Sequence, residues 1–276
     1  MYGLIKRRGL VVINEITFIV KGTDDKNSLG RCLKSIYRQS NKSYRVVAIT
    51  NLDESDIESF NNDEKTEFVF IKKKKDFLKT ANAQIKQLKS RYFIYVNSDS
   101  IIPPDAVEKI LDSDEDVVIF NISRQASNKR FGSVYPRGDK FTLAKYIKCG
   151  VSVWNNAIST QYVINEKLFL TDWSYFSQLM YLLEIYSGVR TVGLISDVLI
   201  CRSTLIRKKK ISYAQFSANR RLLTKIMKGF AEKDMNDVKR QLVADFVLSN
   251  MGEYYKEKRF IFRLVKKHRF KKYIFM

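Results

Sequence analysis

Short β-rich segments alternate with amphipathic helical segments over the first two thirds of the chain, and this alternation restricts the fold more than any other feature. The helical segments lie at 29–39, 76–88 and 104–111, and the first has apolar residues at three- and four-residue steps. Strands that alternate with helices predict a mostly parallel sheet with helices on both faces, an α/β fold. The strand-like segments are 16–20, 45–50, 67–71, 92–96 and 116–120.

The rest of the chain divides into a continuation of this domain and a basic helical region. Residues 168–185 are strongly apolar and predict a buried helix that begins near Thr171, and residues 189–201 predict one or two more strands. Beyond them the pattern is helical to the last residue. We therefore expect an α/β domain over residues 11–204 and a basic helical appendage over residues 205–276.

The net charge of +21 is concentrated in the last quarter of the chain, where residues 202–276 hold 21 Lys and Arg against 6 Asp and Glu. A surface of this charge can bind nucleic acid, an anionic membrane or a phosphorylated substrate. Phenylalanine and tyrosine are interleaved with the cations at 254–276, which favours an anionic membrane surface as the partner. The alternatives are a helix packed on the domain with a charged outer face, and an RNA-binding tail; nucleic acid is the less favoured partner.

Cysteine usage and the length of the apolar segments exclude several classes of protein. The three cysteines are odd in number, far apart and without CxxC spacing, so we expect neither a disulfide framework nor a cysteine-ligated zinc site. No segment approaches the ~18 consecutive apolar residues that a membrane-spanning helix needs. The N-terminus also lacks a secretory cleavage pattern. We therefore expect a cytoplasmic protein whose contact with a membrane is peripheral.

Polar residues follow three of the predicted strands, at the edge where open α/β sheets bind ligands. These are residues 24–25, 50–53 and 97–99. Asn97 and Asp99 are two residues apart on an extended segment, so both side chains can offer an oxygen to one hard cation such as Mg²⁺ or Mn²⁺. The alternative is a turn that caps the following helix.

Five phrases of the sequence carry a resemblance to a known family. They are ITFIVKGTDDKNSLGRCLKSIYRQSNKSYR at 16–45, FLKTANAQI at 77–85, YFIYVNSDSIIPPDAVEKI at 92–110, VSVWNNA at 151–157 and LTDWSYFSQLMYL at 170–182. In their order and spacing they resemble family 2 glycosyltransferases of the bacterial surface-polysaccharide type. The resemblance runs over residues 16–204. It implies the GT-A fold, a Rossmann-like, mostly parallel sheet sandwiched by helices.

The resemblance also implies an activity, which is transfer of a sugar from a nucleotide-diphosphate donor to an acceptor hydroxyl with inversion. Asp172 matches the general base, and Trp154 and Trp173 are the implied acceptor-binding residues. Asp99 with Asn97 matches the site of a divalent cation, Mn²⁺ or Mg²⁺, that neutralises the donor phosphates. The implied partners are a nucleotide sugar, most readily a UDP-sugar, and a surface glycan or lipid-linked acceptor at the inner face of the plasma membrane. The implied donor-binding residues are Lys21, Thr23, Asn51, Asp53, Asn82, Asn97, Ser98 and Arg202.

Neutral residues replace carboxylates at three places in the family pattern. Asn97 replaces the first aspartate of Asp-x-Asp, Thr50-Asn51 replaces an Asp-Asp pair in which the position of Asn51 reads the base, and Thr171 replaces the glutamate of Glu-Asp. Arg202 and the basic run at 207–210 directly follow the last predicted strand, and such cations can do part of the electrostatic work of a metal ion. A solvated loop is the alternative for this run.

Two other interpretations remain open from the sequence. The replaced carboxylates are also what a GT-A-like module would show if it had lost catalysis and served as a scaffold subunit for an active partner. Asp172 can alternatively cap a helix that begins at Trp173, with Trp173 an ordinary core residue.

Overall fold

The computed structural model describes residues 4–7, 10–22, 25–60, 64–124, 152–173 and 175–202. Thr23, the predicted domain boundary at residue 204 and the predicted helical appendage at 205–276 lie outside these ranges. The division into two regions therefore stays a prediction.

The described strands form one nine-stranded sheet in which β1 is paired with β2 and the other strands follow the order β4-β3-β2-β5-β8-β7-β9-β6. Strands β4, β3, β2 and β5 run parallel to one another, and β7 runs parallel to β9. Strand β8 lies between β5 and β7 and is antiparallel to both. The strands are β1 (Leu4–Arg7), β2 (Leu10–Lys21), β3 (Tyr44–Thr50), β4 (Thr66–Phe70), β5 (Ser90–Asn97), β6 (Ser100–Ile101), β7 (Val117–Arg124), β8 (Asn156–Ser159) and β9 (Val192–Arg202).

Helices pack against both faces of this sheet, so the predicted α/β fold is confirmed. The described helices are α1 (Lys26–Tyr37), α2 (Glu54–Ile57), α3 (Phe77–Ile85), α4 (Ala106–Leu111), α5 (Thr160–Asn165) and α6 (Tyr175–Gly188). Helices α1 and α4 share a buried cluster with Phe18, Ile94 and Phe120 on one face. Helix α3 contacts β3 and helix α5 contacts β5. None of these helices has the length and apolar character that crossing a membrane requires.

Helix α1 shows how local sequence sets an element that borders the site. The carboxylate of Asp25 accepts hydrogen bonds from the backbone N–H groups of Asn27 and Ser28, at 3.0 and 3.3 Å, and caps the helix. Leu29, Leu33 and Ile36 then form its buried face. Asp25 is one of the polar residues expected at the ligand-binding edge, and the structure gives it a capping role.

The helix predicted to begin near Thr171 begins at Tyr175, so that prediction is wrong by about one turn. The Leu170 carbonyl accepts a hydrogen bond of 2.9 Å from the Nδ2 group of Asn82, and the Trp173 carbonyl accepts one of 2.9 Å from Gln178 Nε2. These bonds hold the segment in a non-helical path between α3 and α6. Asp172 therefore does not cap a helix beginning at Trp173, and that alternative is also wrong.

Candidate active site

The carboxyl ends of four strands meet at one edge of the sheet, called the carboxyl edge below. Lys21, at the end of β2, is in register with Ile49 of β3 on one side and with Asn97 of β5 on the other. The backbone N–H of Ser98 donates a hydrogen bond of 3.1 Å to the Lys21 carbonyl. Strand β6 then pairs with the end of β9, and its register sets Ser100 opposite Arg202. The sequence prediction of a shared edge is confirmed for these strands.

Gly22 allows the ends of β2 and β3 to approach closely. Its backbone N–H donates a hydrogen bond of 2.8 Å to the carbonyl of Ile49. A Cβ atom at this position would lie 2.9 Å from Thr50 Cβ and 3.1 Å from the Ile49 oxygen. The Thr50 Cβ cannot swing away as the end of a long side chain could, so a larger residue would push the two strand ends apart.

Asp99 and Arg202 form an ion pair across the carboxyl edge. Arg202 Nη2 donates to Asp99 Oδ2 at 3.3 Å, and the side chains are only 16% and 15% exposed respectively. The adjacent pairing of β6 with β9 fixes the two backbones at this point. The Nε atom of Arg202 is buried and has no hydrogen-bond acceptor among the described residues. The guanidinium therefore has donor capacity beyond the aspartate.

Trp154 and Trp173, called the tryptophan pair below, stack beside this ion pair. Their ring centroids are 4.9 Å apart and their planes are inclined by 5°. Arg202 lies over the ring of Trp154, at 5.9 Å from its centroid, and Lys21 Nζ lies over the ring of Trp173, at 4.9 Å. Each tryptophan thus contacts one cation of the carboxyl edge and the other tryptophan.

Two further aromatic residues complete this cluster, and the sequence analysis missed both. The ring of Tyr95 meets both members of the tryptophan pair edge-on, and the ring of Phe77 lies 5.5 Å from that of Trp173. Burial raises the pKa of Tyr95, so its hydroxyl is neutral. Tyr95 is two residues before Asn97 on the same extended segment, and this spacing, which directs both side chains to one face, is the signal in the sequence that would have identified it.

Asp172 lies next to the tryptophan pair, and its side chain is exposed. The backbone N–H of Trp173 donates a hydrogen bond of 2.8 Å to Asp172 Oδ1, which orients the carboxylate. The segment is held from both sides, by Asn82 through Leu170 and by Gln178 through Trp173. The arrangement presents an oriented carboxylate to solvent beside an aromatic surface, and the general-base role of Asp172 stays a prediction.

The structure locates the other predicted donor-binding residues as follows. Asn51 is half-buried just after β3, and Asp53 is exposed in the capping position of α2, where its side chain makes no capping hydrogen bond. Ser98 is buried in the turn between Asn97 and Asp99. Asn82 is in contact with the Leu170 carbonyl through its Nδ2 group. Their roles in binding a donor remain predictions.

Cys32 lies beneath the turn that carries Asp99. Its Sγ donates to the carbonyl of Asn97 at 3.7 Å. Burial, with a smaller contribution from the charge of Asp99, raises the pKa of the Cys32 thiol to about 12. The thiol is therefore neutral at physiological pH and packs as a small apolar group without acting as a nucleophile or metal ligand.

The residues at the carboxyl edge do not fit a divalent cation. Within the described part of the chain, no group of three or more His, Cys, Asp and Glu side chains is arranged to hold a metal ion. The single carboxylate of the predicted pair, Asp99, already contacts Arg202, and Asn97 brings no charge. An incoming dication would meet the guanidinium at its one anionic ligand, a repulsion that a low-dielectric site strengthens.

Comparisons with known proteins agree with this fold. Residues 17–167 match the family described as glycosyl transferase family 2. The structure of Staphylococcus aureus TarS residues 1–349 is similar at a TM-score of 0.65 and 14% identity, covering 89% of this chain and 73% of that one. TarS in complex with UDP-GlcNAc gives a TM-score of 0.68 at 12% identity, and TarS in complex with UDP gives 0.63 at 14%; both comparisons cover 92% of this chain and 80% of that one. Curated protein sequences give no match. The family match ends before Asp172, so that residue and Arg202 are related to the family by the fold alone.

Proposed function

The chain belongs to glycosyl transferase family 2 and is a glycosyltransferase with the GT-A fold, and from this we propose that it transfers a sugar from a nucleotide-diphosphate donor to an acceptor hydroxyl with inversion. Asp172 is the proposed general base. The observation that carries the proposal is the oriented, exposed carboxylate of Asp172 next to Trp173, whose ring stacks on Trp154 and contacts Lys21 at the carboxyl edge. Inversion needs such a base, because the acceptor oxygen must lose its proton as it attacks the sugar.

A UDP-sugar is the donor that we propose. The similar TarS structures hold UDP-GlcNAc and UDP, and the fold that they share with this chain at 12–14% identity supports the same nucleotide class here. Asn51 and Asp53, which follow β3 at the carboxyl edge, are the proposed contacts to the base and ribose. Amide and carboxylate groups suit the hydrogen-bond donors of uracil and ribose.

The tryptophan pair is the proposed acceptor platform. A sugar ring presents C–H groups on one face, and indole rings offer a flat apolar surface against which such a face can pack. Trp173 directly follows the proposed base in the sequence, so an acceptor packed near it would bring a hydroxyl close to Asp172. Because the two rings stack on each other and Lys21 and Arg202 lie over them, the acceptor is proposed to pack against the part of the half-exposed pair that these contacts leave accessible.

The acceptor and its location form the least constrained part of the proposal. We propose a surface glycan or a lipid-linked precursor as the acceptor, reached by a peripheral enzyme at the inner face of the plasma membrane. The support is the charge of residues 202–276, which include 21 basic and 6 acidic residues and in which aromatic residues are interleaved with the cations. Co-sedimentation with anionic vesicles that is lost at high salt would support this location, and equal sedimentation with neutral vesicles would contradict it.

The experiment that tests the activity is a donor screen followed by product analysis. The purified full chain is incubated with UDP-, GDP-, CDP- and dTDP-sugars and with candidate glycan acceptors, and transfer is followed by mass spectrometry. Proton NMR of the first product formed gives its anomeric configuration. Inverted product from one nucleotide class supports the proposal, whereas retained configuration contradicts the mechanism. No nucleotide binding by the purified chain, together with recovery of a second glycosyltransferase in a pull-down, would instead favour the scaffold interpretation.

A further inference from the structure

We propose that Arg202 and Lys21 bind the diphosphate of the donor in place of a divalent cation, and that Asp99 is the internal anion that occupies Arg202 until the donor arrives. This inference rests on the proposed function, because it assumes a nucleoside diphosphate at the carboxyl edge. It departs from the sequence expectation, in which Asp99 and Asn97 would hold Mn²⁺ or Mg²⁺.

Asp99 is already paired with a cation of the same chain. Its carboxylate is about as buried as its partner, and the guanidinium of Arg202 lies 3.3 Å away. The side chain of Asn97, which completes the predicted metal site, is neutral. Mg²⁺ is commonly bound by one or two carboxylates together with substrate phosphates, so of this pair only Asp99 could supply a carboxylate to the cation. Here the only carboxylate of the pair is neutralised by an arginine of the same chain.

Arg202 has hydrogen-bonding capacity that Asp99 does not use. A guanidinium has five N–H donors in a planar fork that matches phosphate oxygens. One is given to Asp99 through Nη2, and the buried Nε has no acceptor among the described residues. A buried donor that lacks an acceptor is costly, so it indicates a ligand that supplies one. A diphosphate provides several acceptor oxygens for a bidentate contact.

Lys21 supplies a second cation beside the tryptophan pair. Lys21 ends β2 beside Asn97, and its ammonium lies over Trp173, whereas Arg202 ends β9 and lies over Trp154. The stacked rings thus carry one cation on each member of the pair. Two monovalent cations held on a rigid aromatic support supply the charge that one dication would bring, and the strands fix their positions before the donor binds.

Sugar transfer can proceed without a metal ion if side chains of the chain accept the proton and stabilise the leaving group. The acceptor oxygen forms a bond to the anomeric carbon as the bond from that carbon to the diphosphate oxygen breaks. The electron pair of the broken bond leaves with the diphosphate, and the acceptor proton goes to Asp172. The added negative charge on the diphosphate is met by Arg202 and Lys21, whose attraction for the leaving group increases as the bond breaks.

This arrangement predicts opposite effects for substitutions of the two ion-pair partners. Removing the charge of Arg202 removes a donor contact, whereas removing the charge of Asp99 removes a competitor of the diphosphate. A metal site predicts that loss of Asp99 abolishes binding. Asp99→Asn therefore separates the two mechanisms.

The test is a fluorescence titration with UDP as the probe. The chain contains 2 tryptophans, both in the stacked pair, so intrinsic emission reports directly on the site. Titrations are run in EDTA and in Mn²⁺. We expect UDP to bind in EDTA. Arg202→Gln should raise the Kd for UDP by about tenfold or more, and Arg202→Lys should raise it less. Asp99→Asn should lower the Kd. Thermal unfolding of each variant without ligand establishes that it is folded.

Arg91→Gln is a matched control at the opposite end of β5. Arg91 Nη2 lies 3.3 Å from Asp114 Oδ1 and its guanidinium carbon lies 4.7 Å from the Tyr92 ring centroid, so it has the same two kinds of contact as Arg202. The control should leave the UDP affinity unchanged. Binding that requires Mn²⁺ and is lost in Asp99→Asn would overturn this inference while leaving the proposed function intact. If no nucleotide or nucleotide sugar binds in either buffer, the proposed function fails and this inference fails with it.

Discussion

Trp154 and Trp173 stack with their ring centroids 4.9 Å apart although they come from different elements, a turn that leads into β8 and the segment that leads into α6. The stack joins the turn before β8, the antiparallel strand between β5 and β7, to the segment that carries Asp172. Lys21 contacts the ring of Trp173 and Arg202 contacts the ring of Trp154, so the stack connects these two cations. The tryptophan pair is therefore the structural link between the proposed base and the proposed phosphate-binding residues.

A double-mutant cycle should detect this stacking as a coupling between the two rings. Aromatic pairs contribute about 0.5–1.5 kcal/mol beyond the area that they bury, so Trp154→Leu and Trp173→Leu together should cost less than the sum of the single changes by this amount. The free energies of unfolding are measured by urea denaturation followed by circular dichroism. The control cycle pairs Trp154→Leu with Phe18→Leu, because Phe18 belongs to the cluster beneath α1 and α4. Additivity in both cycles would contradict a stabilising stack.

Asp172→Asn should abolish most of the transfer rate while leaving donor binding in place. The asparagine keeps an oxygen that can accept the Trp173 N–H, so the segment keeps its path, but it cannot take the acceptor proton. General-base catalysis contributes about 10²–10⁴ in rate, which sets the expected fall in kcat. The Kd for UDP is measured beside kcat, and it should stay at the wild-type value. Asp112→Asn changes an exposed aspartate at the end of α4 and serves as the control. Full activity in Asp172→Asn would rule out the base role.

Much of the fold could be predicted from the sequence because its strands are buried on both faces. Residues 92–96 are all buried in β5, and such continuous apolar runs separated by helical periodicity are typical of parallel sheets. The edge that gathers Lys21, Asn97 and Arg202 follows from the same topology, because the carboxyl ends of parallel strands lie together. Strand β8 has only four residues and no distinct periodicity, so its antiparallel insertion could not be predicted.

The parts of the site that could not be predicted depend on contacts between residues distant in the sequence. The pairing of Asp99 with Arg202 arises because β6 pairs with β9, a register that no local pattern encodes. The start of α6 at Tyr175 is set by hydrogen bonds from Asn82 and Gln178 to the preceding segment. Helix propensity alone favours an earlier start in this apolar stretch, and tertiary contacts override it.

Gly22→Ala should destabilise the protein and distort the carboxyl edge. The added Cβ would lie 2.9 Å from Thr50 Cβ, and neither backbone can shift without disturbing the pairing of β2 with β3. Overpacking of this kind costs about 1–3 kcal/mol, measured as a fall in the free energy of unfolding in urea. Gly30→Ala is the comparison variant: its Cβ would lie 2.6 Å from Phe60 Cε1, which is the far end of a side chain and not an atom next to a paired strand, and alanine is the better helix former within α1. Gly30→Ala should therefore lower the free energy of unfolding by less than Gly22→Ala does. An equal or larger loss in Gly30→Ala would show that backbone closeness at Gly22 is not the limiting contact.

Alkaline pH should weaken the fold through Cys32, the buried thiol beneath the Asp99 turn. Burial raises its pKa from the ordinary 9.0 to about 12 in the folded chain. The folded state therefore holds this proton over a pH range in which the unfolded state has lost it. Stability linked to the group is fully present below pH 9 and falls as the pH rises from about 9 towards 12. Urea denaturation at a series of pH values should show this fall, and Cys32→Ala and Cys32→Val should both show a shallower one. Parallel pH profiles for the wild type and both variants would mean that the thiol titrates alike in the folded and unfolded chains.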